Sequence, residues 1–257
     1  MIRARSLIGL LFLGCAARSA PPATAANEAS VPPEIRAAVD APDRTDDDRK
    51  LDRGRKPAEF LAFIGVRPGM RVAELGAGRG YTTELLARVV GPSGVVFAQN
   101  APAMLQRIGD QPWVERLARP ANQRVVRVDR PFDDPLPPEA TNLDLVLINA
   151  LYHDTVWLKV DRAKMNAQVF AALRSGGHYV VSDSSAKAGT RDADAERLHR
   201  IDEQLVRDEV LAAGFKLESE SPLLRNPNDA RDWNASPRAA GERRGTSDRF
   251  LLKFVKP

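Results

Sequence analysis

The chain has 257 residues, of which 43% are hydrophobic, which is enough to bury one good-sized core and leave an arm over. Its formal net charge of +4 includes Arg3, Arg5 and Arg18 of the first 26 residues, and the remainder carries 35 basic against 34 acidic side chains. That balance predicts no nucleic-acid partner, and the single cysteine, Cys15, excludes disulfides, thiolate nucleophiles and zinc–thiolate sites from the rest of the chain.

Residues 1–26 have the pattern of a signal peptide. Two arginines are followed by a short apolar segment, Leu7 to Ala17, and by the small-residue cleavage pattern Ala23-Thr24-Ala25. Export to the periplasm is the expectation. Lipid attachment at Cys15 of "LFLGC", or an uncleaved leader that keeps the domain on the cytosolic side, are alternatives. No later apolar stretch approaches membrane-spanning length, so membrane contact is expected through the leader or that lipid alone.

The next residues, 27–46, are rich in Ala, Pro, Asp and Glu and predict a flexible arm, and residues 47–257 are predicted to form the domain. A helical region around Pro57 opens it, with Phe60, Leu61 and Ile64 on one apolar face. Further helices are predicted at Tyr81–Val90, across Ala101–Arg119, at Thr155–Leu173 and at Asp192–Ala213. The predicted strands are Arg71–Leu75, Val95–Ala98, Gln123–Val128, Leu143–Ile148, His178–Ser182, Phe215–Ser219 and Arg249–Val255.

Alternating helices and fully apolar strands predict an α/β fold with a parallel sheet covered on both faces. The last two strands are joined by a long polar loop without a convincing helix, so they should pair antiparallel. We therefore expect a Rossmann-like, seven-stranded sheet of the methyltransferase type, mostly parallel, with a C-terminal antiparallel strand pair.

The segment "RVAELGAGRGYTTELLA", Arg71 to Ala87, places glycines at the turn after the first strand, where ligands of such sheets bind. Its pattern is E-x-G-x-G-x-G, with Tyr81 where a dinucleotide fingerprint needs its third glycine. Gly76 and Gly78 would let the backbone approach S-adenosylmethionine closely, and Glu74 would accept a hydrogen bond from its ammonium group. The other cofactor-binding residues predicted in this turn are Ala77, Gly80 and Tyr81. A tight turn without ligand and a nicotinamide or flavin nucleotide site are alternatives.

The ends of the next two strands supply the remaining predicted contacts to the nucleoside. Gln99 and Asn100 stand where an acid usually holds the ribose hydroxyls, and an amide can accept from one hydroxyl and donate to the other. Asp129 follows the third strand and could accept from the adenine amino group. An Asx turn or a pair with Arg130 is the alternative for Asp129.

On these residues the chain resembles the class I S-adenosylmethionine-dependent methyltransferases. The run "PGMRVAELGAGRGYTTELLARVVGPSG" is also similar to the start of protein-L-isoaspartate methyltransferases. Residues 47–257 resemble more closely a bacterial group of predicted, often exported methyltransferases of unassigned substrate, through "RKPAEFLAFIGVRPG", "INALYHD", "HRIDEQLVRDEVLAAGF", "NPND" and "SDRFLLKFVKP". The resemblance implies the methyltransferase sheet and methyl transfer from S-adenosylmethionine, and it implies no particular substrate.

Residues for the methyl acceptor should follow the fourth and fifth strands. The fourth leads into "NALYHD", in which Asn149 is assigned to the cofactor, Tyr152 to catalysis and His153 to general-base catalysis, since imidazole titrates near neutrality. Asp154 could instead cap the following helix, and Tyr152 could belong to the core. The fifth strand ends at Asp183, also assigned to the catalytic group.

His199, the fourth predicted catalytic residue, should share a helix face with Asp202. An exposed helical ion pair is the alternative for His199. His153 and His199 with Asp183 or Asp202 could ligate a metal ion, but their spacing is not diagnostic and no metal is predicted.

Two further segments have open roles. Arg53, Arg55 and Lys56 could meet the cofactor's carboxylate or be a solvated charge run. The segment "RNPNDARDW", with Trp233, could be a substrate lid or a disordered loop.

The expected function is methyl transfer from S-adenosylmethionine to an unidentified small molecule. Export conflicts with a cofactor made in the cytosol. An exported, non-catalytic ligand-binding protein that keeps the fold is therefore the alternative, and a nicotinamide-dependent oxidoreductase is a third.

Overall fold

The structure is a computed structural model, and it describes residues 31–257. The predicted signal peptide, Cys15 and the first residues of the predicted arm lie outside the described residues. No helix within residues 31–257 combines the length and the apolar character needed to cross a membrane.

Seven strands form one sheet in the order β3-β2-β1-β4-β5-β7-β6. The first five strands pair in parallel, whereas β7 pairs antiparallel with both β5 and β6. The predicted mixed sheet is confirmed, including the antiparallel pair at its C-terminal end. The strands are β1 Arg71–Leu75, β2 Val95–Gln99, β3 Val125–Val128, β4 Leu143–Asn149, β5 Leu173–Ser184, β6 Lys216–Glu220 and β7 Arg249–Val255.

Ten α-helices and three short 3-10 helices surround the sheet within the described part of the chain. The α-helices are α1 Pro33–Asp40, α2 Asp46–Arg55, α3 Pro57–Ile64, α4 Tyr81–Val90, α5 Pro102–Ile108, α6 Gln111–Leu117, α7 Asp154–Trp157, α8 Arg162–Ala172, α9 Ala195–Leu198 and α10 Glu203–Ala212.

The expectation of a flexible arm over residues 27–46 is wrong for its described part, because residues 33–40 form helix α1. Ile35 and Ala38, three residues apart, bury the same side of α1 against α3 and α4. Two apolar side chains in a polar, proline-containing segment are too weak a pattern to predict a helix. The surface that they cover exists only after α3 and α4 have packed.

The two long helices predicted in the second half of the chain are each broken into two. Lys159, between α7 and α8, and His199, between α9 and α10, have left-handed backbone conformations with φ of +55° and +49°. The second helix of each pair then starts at an aspartate cap: Asp161 accepts from the Lys164 amide and Asp202 from the Gln204 amide. His199 therefore does not share a helix face with Asp202.

The core lies on both faces of the sheet. Ala73 and Leu75 of β1 point into a cluster shared with α8 and α10, whereas Val72 and Leu86 belong to the opposite cluster beneath α1, α3 and α4. The sheet reverses its winding direction between β1 and β4, and ligands of such sheets bind beyond the strand ends at that point. The residues following Leu75 and Asn149 are therefore the place to examine for a site.

Candidate functional site

The glycine turn joins β1 to α4 at this reversal. Gly76, Gly78 and Gly80 all have positive φ, of +69°, +59° and +79°, which explains glycine at each of them. A Cβ at Gly76 would lie 2.4 Å from Cδ2 of Leu151, and a Cβ at Gly80 would lie 2.5 Å from the Trp113 ring. Gly78 has no atom within 4 Å of that position. The expectation that Gly76 leaves room for a ligand is therefore corrected: Leu151 covers it, and Gly78 faces open space.

The amides after β2 bind the glycine turn. Gln99 Oε1 accepts from the Gly76 amide at 2.9 Å and its Nε2 donates to the Arg130 carbonyl at 2.6 Å. Asn100 Oδ1 accepts from the Gly78 amide at 2.8 Å and its Nδ2 donates to the Gly78 carbonyl at 3.0 Å. Both side chains are fully buried, and the Ala77 amide donates to the Gln99 carbonyl. In this conformation the two amides fix the turn instead of pointing toward a ribose, so their predicted role is not observed.

Glu74 points away from the turn, toward α4. Its carboxylate accepts a hydrogen bond from the Thr83 hydroxyl, and the side chain is 3% exposed. Burial raises the pKa of Glu74 to about 7, and the hydrogen bonds from Thr83 and Thr82 oppose that rise. The predicted contact between Glu74 and a ligand's ammonium is therefore not preformed.

Asp129 lies just after β3 and is bound by a neighbouring cation. Both carboxylate oxygens accept from Arg127 Nε, at 3.0 and 2.9 Å, in place of the pair with Arg130 that the sequence suggested. Its side chain is 39% exposed. The carboxylate thus stays accessible at the strand end, where an adenine would be placed by the predicted arrangement.

A narrow polar cleft of about 10 Å³ lies beside the turn, between α3, α4, the end of β4 and the start of β7, and would have to widen to admit a ligand. Asn149 and Ser182 are cross-strand neighbours, and Arg249 points to the same face of the sheet. Asn149 Oδ1, Ser182 Oγ and Arg249 Nε are buried without a hydrogen-bond partner among the described residues. Such groups are costly to bury unpaired. The residues lining the cleft are Arg55, Pro57, Phe60, Leu61, Tyr81, Thr82, Leu85, Asn149, Leu224 and Arg249.

Two cations face this cleft. The Arg55 guanidinium lies 4.2 Å from the centre of the Tyr81 ring, and the Tyr81 hydroxyl donates to Asp52 at 2.6 Å. Burial lowers the pKa of Arg55 and, together with the Arg55 charge, lowers the pKa of Arg249 to about 10. Arg249 also donates to the Gly54 carbonyl. Both guanidiniums remain charged at neutral pH and would be stabilised by a bound anion.

His153 is the centre of a second group, just beyond β4 and β5. Its Nδ1 lies 2.8 Å from Asp183 Oδ1, and its Nε2 lies 3.0 Å from Asp154 Oδ1 and 3.1 Å from His199 Nδ1. Burial opposes protonation of His153, but the adjacent Asp183 and Asp154 outweigh it and raise its pKa to about 10. Burial would raise the pKa of Asp154, yet hydrogen bonds from His153 and His199 lower it well below its usual range.

Of the four predicted catalytic residues, the structure brings His153, Asp183 and His199 together. The fourth, Tyr152, is not part of this group. That side chain is fully buried, and its hydroxyl donates to Glu209 at 2.8 Å and accepts from Asn166 at 2.9 Å. Tyr152 thus belongs to the core, because its hydroxyl is satisfied by α8 and α10 on the interior side of the sheet.

The loop between β6 and β7 is anchored to the domain. Asp229 and Arg200 are both almost completely buried and form a salt bridge of 2.8 Å, and the Trp233 indole donates to Asp229 at 2.7 Å. The segment "RNPNDARDW" is therefore ordered and not a disordered loop, and its role as a substrate lid stays a prediction. Sequence reasoning assigned no role to Leu151 or Arg249, although they lie in the segments "INALYHD" and "SDRFLLKFVKP". Their positions follow from the pairing of β4, β5 and β7.

A larger cavity, of about 230 Å³, opens beyond the ends of β2 and β3. Its lining residues are Ala101, Pro102, Ala103, Pro131, Phe132, Asp133, Leu158, Lys159, Val160 and Asp161. Apolar walls with a few polar groups are typical of small-molecule sites.

Known proteins are similar to this chain in sequence and in fold. The family model of protein-L-isoaspartate(D-aspartate) O-methyltransferase matches residues 34–120, which include the glycine turn and the helices before it. The structure of a SAM dependent methyltransferase from Aquifex aeolicus superposes with a TM-score of 0.54 at 13% identity, covering 83% of this chain and 100% of that chain. The fold is therefore the methyltransferase fold.

The relatives found by sequence align with only part of this chain. Fibrillarin 3 of Arabidopsis thaliana, named as an rRNA 2'-O-methyltransferase, is 28% identical over 161 residues, which are 58% of this chain and 47% of that protein. Protein-L-isoaspartate O-methyltransferase of Thermotoga maritima is 39% identical over 56 residues, 21% of this chain and 18% of that protein. The chain thus spans less than half the length of either curated relative.

Proposed function

We propose that this domain binds S-adenosylmethionine at the reversal point of the sheet and transfers its methyl group to a small acceptor. The observation that carries the proposal is the polar cleft beside the glycine turn. It combines two half-buried arginines, Arg55 and Arg249, with Asn149 Oδ1, which has no hydrogen-bond partner among residues 31–257. The cations fit a carboxylate and the amide oxygen fits an ammonium group, which are the two charged groups of an amino-acid end.

The nucleoside end would then extend across the turn. Gly78 is the glycine whose open side permits close approach, and Asp129 lies at the end of β3, two strands away from β1, with an accessible carboxylate. Leu151 contacts Gly76 through its terminal methyl groups, so a side-chain rotation would uncover the backbone there. The proposal therefore requires Leu151 to move when the cofactor binds.

The cofactor, when bound, supplies a methyl group already activated on a sulfonium. The chain has to orient the acceptor and exclude water. When no ion is bound, Asp183 and Asp154 raise the pKa of His153 to about 10, and an imidazole protonated at neutral pH does not fit the predicted role of general base. A nucleophile that needs no proton removed by His153 fits the arrangement better.

Binding of S-adenosylhomocysteine to the full chain, measured by calorimetry, tests this proposal. Gly78→Ala should weaken binding by about tenfold or more, since its Cβ projects into the space required by the ligand. Gly241→Ala is the matched control: its φ is +52° and the space around its Cβ is equally open, so it has similar backbone strain in a distant loop.

Leu151→Ala should bind S-adenosylhomocysteine more tightly than the wild type, because it removes the side chain that covers Gly76. Absence of binding by both folded wild type and folded Leu151→Ala would end the proposal.

A second candidate is a non-catalytic ligand-binding protein. It is favoured by the closure of Gln99 and Asn100 onto the turn, since both amides would have to break these hydrogen bonds to hold a ribose. Under this alternative the polar cleft binds a small zwitterion such as methionine, and S-adenosylhomocysteine does not compete with that ligand for the cleft. Competition between the two ligands would favour the methyltransferase.

The small-molecule acceptor is part of the same proposal, and a periplasmic location is compatible with it only if S-adenosylmethionine reaches the periplasm. Near-balanced charge over residues 27–257 supports an acceptor other than nucleic acid. Fractionation of cells producing the chain would test the location, and recovery of the protein in the cytosol would contradict it.

A further inference from the structure

We propose that His153, Asp154 and His199 form a binding site for a divalent transition-metal ion. Each of the three side chains offers one ligand atom, and these atoms lie close to one another: His153 Nε2, Asp154 Oδ1 and His199 Nδ1. Two imidazoles and one carboxylate are a donor set that zinc and non-haem iron share. The proposal does not depend on methyl transfer and holds for either function considered above.

The separations between the ligand atoms match a metal centre. They are 3.0 Å from His153 to Asp154, 3.1 Å between the histidines and 3.5 Å from His199 to Asp154. Ligands about 2.0–2.1 Å from one ion are separated by roughly 3.0 Å in octahedral and 3.4 Å in tetrahedral geometry. An ion can thus be placed at bonding distance from all three atoms without rearrangement.

A second layer of hydrogen bonds orients two of the ligands. Asp183 Oδ1 lies 2.8 Å from His153 Nδ1, and its other oxygen accepts from the His153 amide. Binding of the ion would displace the second proton of His153: Nδ1–H goes on donating to Asp183, and the Nε2 lone pair becomes available to the metal. The Trp157 indole donates to Asp154 Oδ1 at 2.9 Å. Carboxylate–histidine–metal arrangements of this kind are usual in metalloproteins.

The backbone of His199 is in a strained conformation. Its left-handed conformation is uncommon for a side-chain-bearing residue, and strained residues concentrate at functional sites. Ile201, two residues later, is hydrogen-bonded to Ser184 of β5 and to Ala186, which restricts the backbone that carries the histidine. Because the His199 and Asp154 side chains each remain 18% exposed, an ion has an entry path and open coordination positions.

The alternative arrangement is a doubly protonated His153 between two carboxylates, with no ion. A metal titration distinguishes the ion-bound from the ion-free arrangement. The untagged full chain is first stripped of metal with a chelator and is then titrated with Co²⁺ and afterwards with Zn²⁺. We expect one Co²⁺ per chain with a visible absorption band, displaced by Zn²⁺. His199→Gln and Asp154→Asn should each weaken binding by about 100-fold or more, and Asp183→Asn by about 10–100-fold.

The matched control is His178→Gln, which replaces the remaining histidine of the chain, paired with Glu218 on the sheet surface. It should bind Co²⁺ like the wild type. Circular dichroism establishes that each variant is folded, and His199→Gln replaces the more exposed histidine in case a change at His153 prevents folding. Lack of saturable binding by folded wild type, or equal binding by wild type and His199→Gln, would overturn the proposal.

Discussion

Glu74 is a carboxyl group held almost out of water at the end of a central strand. Three of its neighbours in β1, Val72, Ala73 and Leu75, are completely buried, and alternation along the strand turns Glu74 toward α4 with Val72. The Thr83 hydroxyl supplies a hydrogen bond but no charge. The ionised form is therefore the one that the fold disfavours.

Because the fold disfavours ionised Glu74, the unfolding free energy should fall as the pH rises. The pKa of Glu74 is about 7 in the folded protein, and its ordinary value is 4.5. The contribution of Glu74 to the unfolding free energy is therefore fully present below about pH 4.5 and is lost as the pH rises through 7. From pH 4.5 to pH 8 the wild type should lose about 3 kcal/mol of unfolding free energy relative to Glu74→Gln.

Urea unfolding of both proteins across this range measures the difference. Glu196→Gln, at an exposed position on α9, serves as the control and should follow the wild type at every pH. Parallel curves for the wild type and Glu74→Gln would show that Glu74 is not held in an unfavourable environment.

Among the elements, the N-terminal helices depend on charge as well as on apolar packing. Arg116 of α6 lies between Asp48 of α2 and Glu84 of α4, with both salt bridges at 2.8 Å and all three side chains nearly buried. Glu84 also pairs with Arg88 and Arg119. One guanidinium therefore joins three helices that are distant in sequence, and α2 carries Arg55 of the polar cleft at its end.

Replacing Arg116 with Met should lower the unfolding free energy by about 3 kcal/mol. Breaking the buried ion pair leaves Asp48 with Arg119 alone, at 3.8 Å. Together with the remaining partners of Glu84, this keeps the loss at the lower end of the expected range. Urea denaturation measures it. Lys50→Ala, which removes an exposed pair with Asp47 on the same helix, should produce no measurable change. Equal effects of the two substitutions would contradict a structural role for the Arg116 network.

At the scale of the whole molecule, residues 31–257 form one compact unit with a sheet between two apolar clusters. Leu86 of α4 belongs to the cluster on one face of the sheet, and Leu205 of α10 belongs to the cluster on the other. The two clusters should therefore lose their structure together, because neither layer keeps a buried partner once the sheet is lost.

We expect Leu86→Ala and Leu205→Ala each to shift a single urea transition, lowering the unfolding free energy by about 2–5 kcal/mol. Tryptophan fluorescence and far-ultraviolet circular dichroism should give coincident curves for both. Leu217→Ala, at a 38% exposed position of β6, is the control and should change the midpoint little. Two separate transitions, each shifted by one of the variants, would show that the layers unfold independently.

The amino-acid sequence alone determined the sheet, its antiparallel end and the glycine turn. Strand β1, helix α4 and strand β7 have the predicted bounds, because apolar periodicity and glycines act over a few neighbouring residues. The same local information brought His153, Asp183 and His199 to one edge of the sheet, since parallel strands end on the same side. It could not show that residues 33–40 form a helix, because that helix is stabilised by a surface contributed from elsewhere.

Tertiary structure alone decided which atoms fill the space around the turn and where charge is held. Leu151 covers Gly76, Gln99 and Asn100 close onto the turn, and Arg249 reaches the cleft through the pairing of β5 with β7. The left-handed backbone at His199 likewise replaced its expected partner, Asp202, by His153 and Asp154. Each of these contacts joins residues far apart in the chain, and their free energy depends on distances that exist only once the strands and helices have packed.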